Sequence, residues 1–466
     1  MADYFPEELI VEILCRLPVK TLLRCIGLSK SWYDLIKTPN FIATHLHKTL
    51  SSDDHRLFLH RLYGNNDETF RLYFDNNDFG EYMTPHPPCD TKKHLHVAGS
   101  CNGLICLFRD DFSHGFGYGY RFILWNPSIR KSILLPSPHF IFANNFLRCR
   151  NFTGFGFDPT TQDYKVLRIM NLLVDDWIHF RADVYSLNSN SWKDITDIVP
   201  RYRVHESVTP AFVNGALHWI ATENNYRNFI MVFDVRDDVF REMMLPESLA
   251  NAWASELTVQ VFQESVLAVI YRETCRDYES HIWLMLEYGR GASWVKLATL
   301  RNRMIERSKV LGFRKNGEVL MYTGEVGQGV GDIASVDIGS RMFKNPIAGN
   351  ENEGGPFLYN YMESLALLDK GNMQCPSPKP LTIKFKRKYR SAHKQKNPTK
   401  LNQKKLGAPS VRWELEQHDQ RSGREDVQHQ LQAIKKRRGM RYYSWLSFAW
   451  RVIDSKKVGC KQDGSS

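Results

Sequence analysis

Gly99-Ser-Cys-Asn-Gly-Leu-Ile-Cys-Leu107, followed after a polar interval by Ile123-Leu-Trp-Asn-Pro-Ser-Ile-Arg130, is the stretch on which the fold turns. The first half reads as a hairpin, with apolar runs on either side of an Asn-Gly turn. The second half opens on an apolar residue and reaches Asn just before its own turn. Working outward, the pair recurs. Gly154-Phe-Gly-Phe-Asp-Pro159 precedes Val184-Tyr-Ser-Leu-Asn188 and Trp192, and Phe212-Val-Asn-Gly-Ala-Leu-His-Trp219 precedes Val232-Phe-Asp-Val-Arg236. Val261-Phe-Gln-Glu-Ser-Val-Leu267 precedes Ile282-Trp-Leu-Met285 and Trp294, and Leu311–Val319 precedes Val336-Asp-Ile-Gly339. Taking Gly99, Gly154, Phe212, Val261 and Leu311 as starts, the steps are 55, 58, 49 and 50 residues. That period is the signature of four-stranded propeller blades.

Two half-units remain. Arg56–Met83 has no hairpin before it, and Phe357–Leu368 has none after it. Joining them makes a sixth blade and closes the ring, which removes the exposed sheet edges of an open array. Six blades is the preferred count, with five or seven as alternatives and a pair of β-sandwiches as the competing architecture. Trp125, Trp192, Trp219, Trp283 and Trp294 recur in these strands, where aromatics fill the space between packed sheets.

Ahead of the repeats, residues 1–50 read as three short helices. Pro6 suits a first helical position, and Glu7 and Glu8 suit the positive end of the dipole. Leu9, Ile10, Ile13, Leu14 and Leu17 then form a stripe at spacings of three and four. Pro18 stops this helix and starts another with Leu22, Leu23 and Ile26, and Ser29 is placed to cap a third carrying Trp32, Leu35 and Ile36, which Thr38-Pro39 ends. A unit so small buries little surface, so its apolar remainder needs a partner or the neighbouring domain.

The formal net charge of +11 is unevenly spread. Residues 370–466 hold 24 Lys and Arg against 7 Asp and Glu, which leaves the first 369 residues at −6. Basicity therefore belongs to the tail alone. With Pro376, Pro378 and Pro380 breaking strands, the tail reads as mostly disordered, with one helix near Arg424–Lys436. The expected architecture is an α+β multidomain chain: a helical module over 1–50, an all-β propeller over 56–369 and a basic tail over 370–466.

Hydrophobic residues at 42% exclude disorder throughout, and no apolar run reaches the ~18 residues of a membrane span. Met1–Glu8 does not match a secretory signal. Nine cysteines without a Cys-x-x-Cys pair fit a reducing compartment, hence cytoplasm, nucleus or both.

The first 50 residues resemble an F-box. The match runs through Phe5-Pro-Glu-Glu-Leu-Ile-Val-Glu-Ile-Leu-Cys-Arg-Leu-Pro-Val-Lys-Thr-Leu-Leu-Arg24, Ser29-Lys-Ser-Trp32, Asp34-Leu-Ile36 and Pro39-Asn-Phe41. Behind it, Ser100-Cys-Asn-Gly-Leu104, Leu124-Trp-Asn-Pro-Ser128, Gly154-Phe-Gly-Phe-Asp158, Asp163-Tyr-Lys-Val166, Val184-Tyr-Ser186, Ser191-Trp192 and Val213–Trp219 resemble the F-box-associated, kelch-like interaction domain of plant F-box proteins. The resemblance implies a substrate receptor of a Skp–cullin–F-box ubiquitin ligase. The helical module would bind the Skp-type adaptor through Pro6, Leu9, Ile13, Leu14, Leu17, Pro18, Leu22, Leu23 and Trp32, and the propeller would bind a target protein. Some of these side chains would also serve the module's own packing.

Such a receptor needs no catalytic residue, cofactor or metal, and none of the sequence patterns of enzyme sites is present. There is no Gly-x-Ser-x-Gly, P-loop or His-Glu-x-x-His, and Gly327-Gln-Gly-Val-Gly331 has the wrong spacing for a dinucleotide loop. His94, His96, Cys101 and Cys106 lack the spacing of a zinc site. The alternative function is a propeller scaffold or nucleic-acid-associated protein acting through the tail, where Lys384–Arg390 and Lys435–Arg438 form basic clusters. Candidate target-binding loops are Asp110–Tyr120, His139–Arg150 and Glu223–Asn228.

Overall fold

A computed structural model describes residues 6–51, 56–64, 67–88, 95–111, 119–138, 140–142, 148–174, 177–204, 209–223, 227–273, 279–301, 309–324, 331–340, 342–347, 357–370 and 381–383. These all belong to one compact unit, Met1–Lys384.

The Asn-Gly pairs do what their chemistry allows. Asn102 and Gly103 take φ of 48° and 79°, and Asn214 and Gly215 take 52° and 75°. This is the turn whose twist matches two antiparallel strands, and it needs positive φ at both central residues. Each pair joins the inner strand of a blade to the next strand outward.

Six antiparallel sheets follow from such hairpins. Blade 1 is assembled from both ends of the repeat region: Phe357–Met362 is innermost, then Arg56–Gly64, Asp67–Phe74 and Glu81–Met83. Blade 2 holds His96–Cys101, Leu104–Asp111, Gly119–Asn126 and Lys131–Leu134. Blade 3 runs from Arg148–Asp158 out to Ser191–Asp194. In blade 4 the innermost position is split between Arg203–Val204 and Ala211–Val213, both paired to Ala216–Thr222. Blade 5 runs from Leu257–Phe262 to Trp294–Arg301, and blade 6 from Lys309–Phe313 to Phe343–Ile347. The six-bladed propeller expected from the repeat is the observed fold, and Arg56–Arg61 pairs with Met362–Phe357 where the two half-units were expected to join.

The second hairpins show why Asn or Asp precedes each turn. The side-chain oxygen accepts amide protons two or three residues on, as in Asn126 to Ser128 at 3.1 Å, Asp234 to Arg236 at 3.0 Å and Asp337 to Gly339 at 2.7 Å. Between blades, Trp125, Trp192, Trp219 and Trp294 are buried and Trp283 is half-buried. Blade 6 is held to blade 1 by Arg314, whose Nε donates to Asp75 Oδ1 at 2.9 Å and whose Nη1 donates to Glu318 Oε2 at 2.7 Å.

Four helices precede the ring, one more than expected. They are α1 (Glu7–Leu14), α2 (Val19–Leu28), α3 (Lys30–Ile36) and α4 (Pro39–Ser51). Pro39 stops α3 and also starts α4, since a first helical residue does not need its N–H. Pro6 sits one position earlier than expected, as the N-cap, with its carbonyl accepting the Leu9 amide at 3.0 Å. Ser29 is the N-cap of α3, but its hydroxyl meets Ser31 Oγ at 2.8 Å and does not bond the helix backbone.

Within the stretch read as a disordered tail, Leu381–Ile383 forms a short strand parallel to Phe140–Phe142, beyond the three prolines. The helix expected near Arg424–Lys436 and both basic clusters lie outside the described residues. Among the described residues, no helix is long and apolar enough to cross a membrane.

Candidate functional site

The helical module packs around Leu14, Val19, Leu22, Cys25, Ile36 and Phe41, all buried. Its core is completed by the ring. Leu365, fully buried, enters this cluster from the segment after the closing strand, with Ile129 and Leu368 packed beside it. His45, on α4, ties the module internally by donating Nε2–H to the Leu17 carbonyl at 3.0 Å.

That segment is clasped by the Asn-Pro-Ser motif of blade 2. Asn126, fully buried, donates its amide to the carbonyls of Ser364 and Ala366, both at 2.9 Å, and its Oδ1 accepts from Tyr361 Oη at 3.2 Å. Ser128 Oγ meets the same Tyr361 hydroxyl at 2.7 Å. Gly103 is required here beyond its turn, since a Cβ would lie 2.1 Å from Ser364 Oγ. Ala366 and Leu367 then enter the core between blades 2 and 3, so one short segment locks the module to the ring.

The nine residues expected at the adaptor surface divide. Leu14 and Leu22 are buried at 3% and 0% exposure and serve the module's interior. Leu17, Leu23 and Trp32 are half-buried. Pro6 and Pro18 are exposed, and Leu9 and Ile13 keep 50% and 56% of their surface in water. Leu9 and Ile13 are four residues apart and so stand side by side on the outer face of α1. Leu28 at 77% and Tyr33 at 41% add apolar surface not singled out from the sequence. Helical spacing marks a stripe but cannot say which edge of it faces inward. Lys37 lies 4.6 Å over the Tyr33 ring and donates to its hydroxyl, fixing that side chain. Beside α1, Lys48 pairs with Glu12, and this hydrogen bond lowers the Glu12 carboxyl below its usual range.

The inner strands of all six blades surround a central cavity of about 400 Å³, with Gly99, Phe155, Phe212, Gln260, Leu311 and Tyr359 among its lining. Thr49 and Leu50, at the end of α4, also reach it. The Asn102-Gly103 turn, the Asn126–Arg130 turn and the Ser364–Leu368 clasp lie at one end of the ring. Antiparallel pairing puts the links between second and third strands at the opposite end. The candidate loops meet that opposite end at Asp111 and Gly119, at Arg148, and at Glu223 and Arg227. Residues 112–118, 139, 143–147 and 224–226 of those loops, and 325–330 of the glycine-rich stretch, lie outside the described residues.

One group of metal-ligating side chain types comes together among the described residues, away from the His and Cys residues weighed in the sequence. Cys101 and Cys106 are buried thiols whose pKa burial raises far above normal. His96 stacks on Phe108 at 5.1 Å, and His94 lies outside the described residues. Glu273, Glu279 and His281 instead bring ligand atoms within 4.8 Å of one another. Hairpin register makes this group by pairing Glu273 with Glu279 and Tyr271 with His281.

Comparison with known proteins agrees with both parts of the chain. The F-box domain model matches residues 4–44, and the model of the F-box-associated β-propeller domain matches residues 75–367. The chain belongs to the F-box-associated β-propeller family. Three Arabidopsis thaliana proteins illustrate the likeness. F-box protein CPR1 is 28% identical over 318 residues, 64% of this chain and 73% of that protein. F-box/kelch-repeat protein At3g23880 is 26% identical over 63% of this chain and 79% of its own length. F-box protein At2g21930 is 32% identical over 50% of this chain and 59% of its own. The helical module is thus the F-box, and the clasp at Leu365 is where F-box and propeller meet.

Proposed function

We propose that this protein is the substrate-receptor subunit of a Skp–cullin–F-box ubiquitin ligase, with the F-box docking on a Skp-type adaptor and the propeller, as a kelch-like interaction domain, holding a target protein. The observation that carries this reading is the exposed pair Leu9 and Ile13 on an F-box whose other side is fastened to the ring through Leu365. The fastening gives the docking face a fixed relation to the target-binding end. The receptor then acts by position: it raises the effective concentration of target lysines near the conjugating enzyme, and this needs no catalytic group of its own. Loops at the end of the propeller away from the clasp receive the target, and the assembly works in the cytoplasm, the nucleus or both.

Co-purification of the full chain with a recombinant Skp-type adaptor tests this. Leu9→Asp with Ile13→Asp replaces two exposed side chains, so the melting curve should be preserved. Adaptor recovery should fall by at least about 100-fold, because each carboxylate would be buried unpaired in the complex. Undiminished recovery by the double variant would contradict the proposed docking face.

A further inference from the structure

A second cavity, of about 140 Å³, opens between blades 5 and 6. It is lined by Ser255, Glu256, Thr258, Arg272, Ser280 and Lys309 with two aliphatic side chains, one of them Ile270. Strand register explains the convergence. Thr258 pairs with Ile270 and Arg272 with Ser280, so the two-residue alternation turns all four to the same face of blade 5. Lys309 opens the inner strand of blade 6 and faces them. Glu273, Glu279 and His281 take the other face, and so do not enter this cavity.

Two side chains of the lining, Ser280 and Arg272, have no partner among the described residues. Ser280 is 1% exposed, yet its hydroxyl has no hydrogen-bond partner. Leaving such a group unbonded is costly, and native structures usually give it a protein, water or ion partner. Arg272 makes no hydrogen bond or ion pair among the described residues. Instead it sits close enough to Lys309 that, after burial, its charge is what pushes the Lys309 ammonium below its usual pKa. Arg272 and Lys309 thus put two cations beside the Ser280 hydroxyl, with Thr258 and Ser255 adding donors and Glu256 as the one carboxylate of the lining. A volume of about 140 Å³ is room for one small ion.

We propose that this cleft binds a phosphate-like tetrahedral oxyanion, held by Arg272 and Lys309 and hydrogen-bonded by Ser280. Arg272 and Ser280, neighbours across two strands, present the forked donor and the hydroxyl that phosphate oxygens accept. The site lies at the end of the propeller away from the F-box clasp, and exposed Ser255 marks its opening to solvent. Trp253, 73% exposed, stands two residues from that opening. Its turn is held down by Asn228, which is buried and donates to the Ala252 carbonyl at 2.6 Å. The inference stands on the propeller alone and does not depend on adaptor docking.

Thermal melting of the full chain in sodium phosphate, against sodium chloride and sodium acetate at matched ionic strength, is the test. Phosphate alone should raise the melting temperature saturably, as a ligand of the native state does. Arg272→Ala should weaken the phosphate response by about tenfold or more. Ser280→Ala should give opposite signs in two readouts: higher melting without phosphate, because the unbonded hydroxyl is gone, and weaker phosphate binding. Displacement of phosphate by a phosphoserine peptide would assign the oxyanion to a protein ligand, and failure to displace it would assign the site to the free ion. An acetate response equal to that of phosphate overturns the proposal, as does the lack of a saturable phosphate response. If Arg272→Ala does not fold, unchanged phosphate affinity in Ser280→Ala is sufficient to overturn it.

Discussion

The F-box and the propeller solve the burial problem in opposite ways. The propeller closes on itself: its last inner strand pairs with Arg56–Arg61, and each blade packs against two neighbours. The F-box is too small to enclose its own apolar residues. It turns Leu14 and Leu22 inward, takes Leu365 from the ring to finish its core, and leaves Leu9, Ile13 and Leu28 in water. Through Leu365 the helices that carry this exposed surface are supported from outside the F-box. Exposure on one side of the F-box and anchoring on the other are therefore one design.

The sharpest way to break the contrast is Leu365→Asp. It places an unpaired carboxylate in the F-box core without touching a blade strand, and should cost about 4 kcal/mol. Hydrogen exchange should show α1 to α4 losing protection while the blades keep theirs, and adaptor binding should fail. Equal loss in both parts would mean that the two fold as one unit.

Acid acts on the ring instead. His218 is fully buried on blade 4, donates Nδ1–H to the Ala211 carbonyl at 3.0 Å and accepts from Tyr288 Oη at 2.8 Å. Burial lowers its pKa from 6.5 to about 4. Above 6.5 the folded and unfolded states are both neutral at this residue, and it adds no pH dependence. As pH falls from 6.5 towards 4, the unfolded chain takes up a proton that the native ring does not. Stability should then drop by up to about 3 kcal/mol. Denaturant midpoints measured across this range should fall for the native sequence and flatten for His218→Gln. An unchanged slope in the variant would assign the pH dependence to other groups.

The smallest effect compares one blade with two others. Where blades 2 and 4 have Asn-Gly, blade 5 turns on Gln263 and Glu264, with φ of 44° and 70°. Neither residue suits that region, and replacing both by Asn-Gly should stabilise the ring by about 1 kcal/mol. Loss of the exposed Glu264 pair with Arg56, at 2.8 Å, subtracts little. A lower midpoint in the variant would show that the pair matters more than the turn.

The ring was legible because its signals are local. Asn102-Gly103 and Asn214-Gly215 dictate their own hairpins, Asn126, Asp234 and Asp337 bond their own turns, and the spacing between copies follows. Even the closing pair could be read, as two halves each lacking a complement. What could not be read depends on distant partners. Nothing in the stripe from Leu9 to Leu17 says that Leu14 faces Leu365 while Ile13 faces water. Pro39 gave a stop and concealed a start, so α4 was missed. Arg272, Ser280 and Lys309 are unremarkable until strand register and the seam between two blades bring them together.

The position of Leu365 bears on how the molecule is made. During synthesis the F-box helices leave the ribosome before the blades, yet the strand that completes blade 1 and the leucine that seats those helices come near the end of the repeat region. Contacts so distant along the chain form late. A polypeptide interrupted before Phe357 has neither a finished ring nor a supported F-box, so both ends are presented together only once the chain through Leu368 has been made.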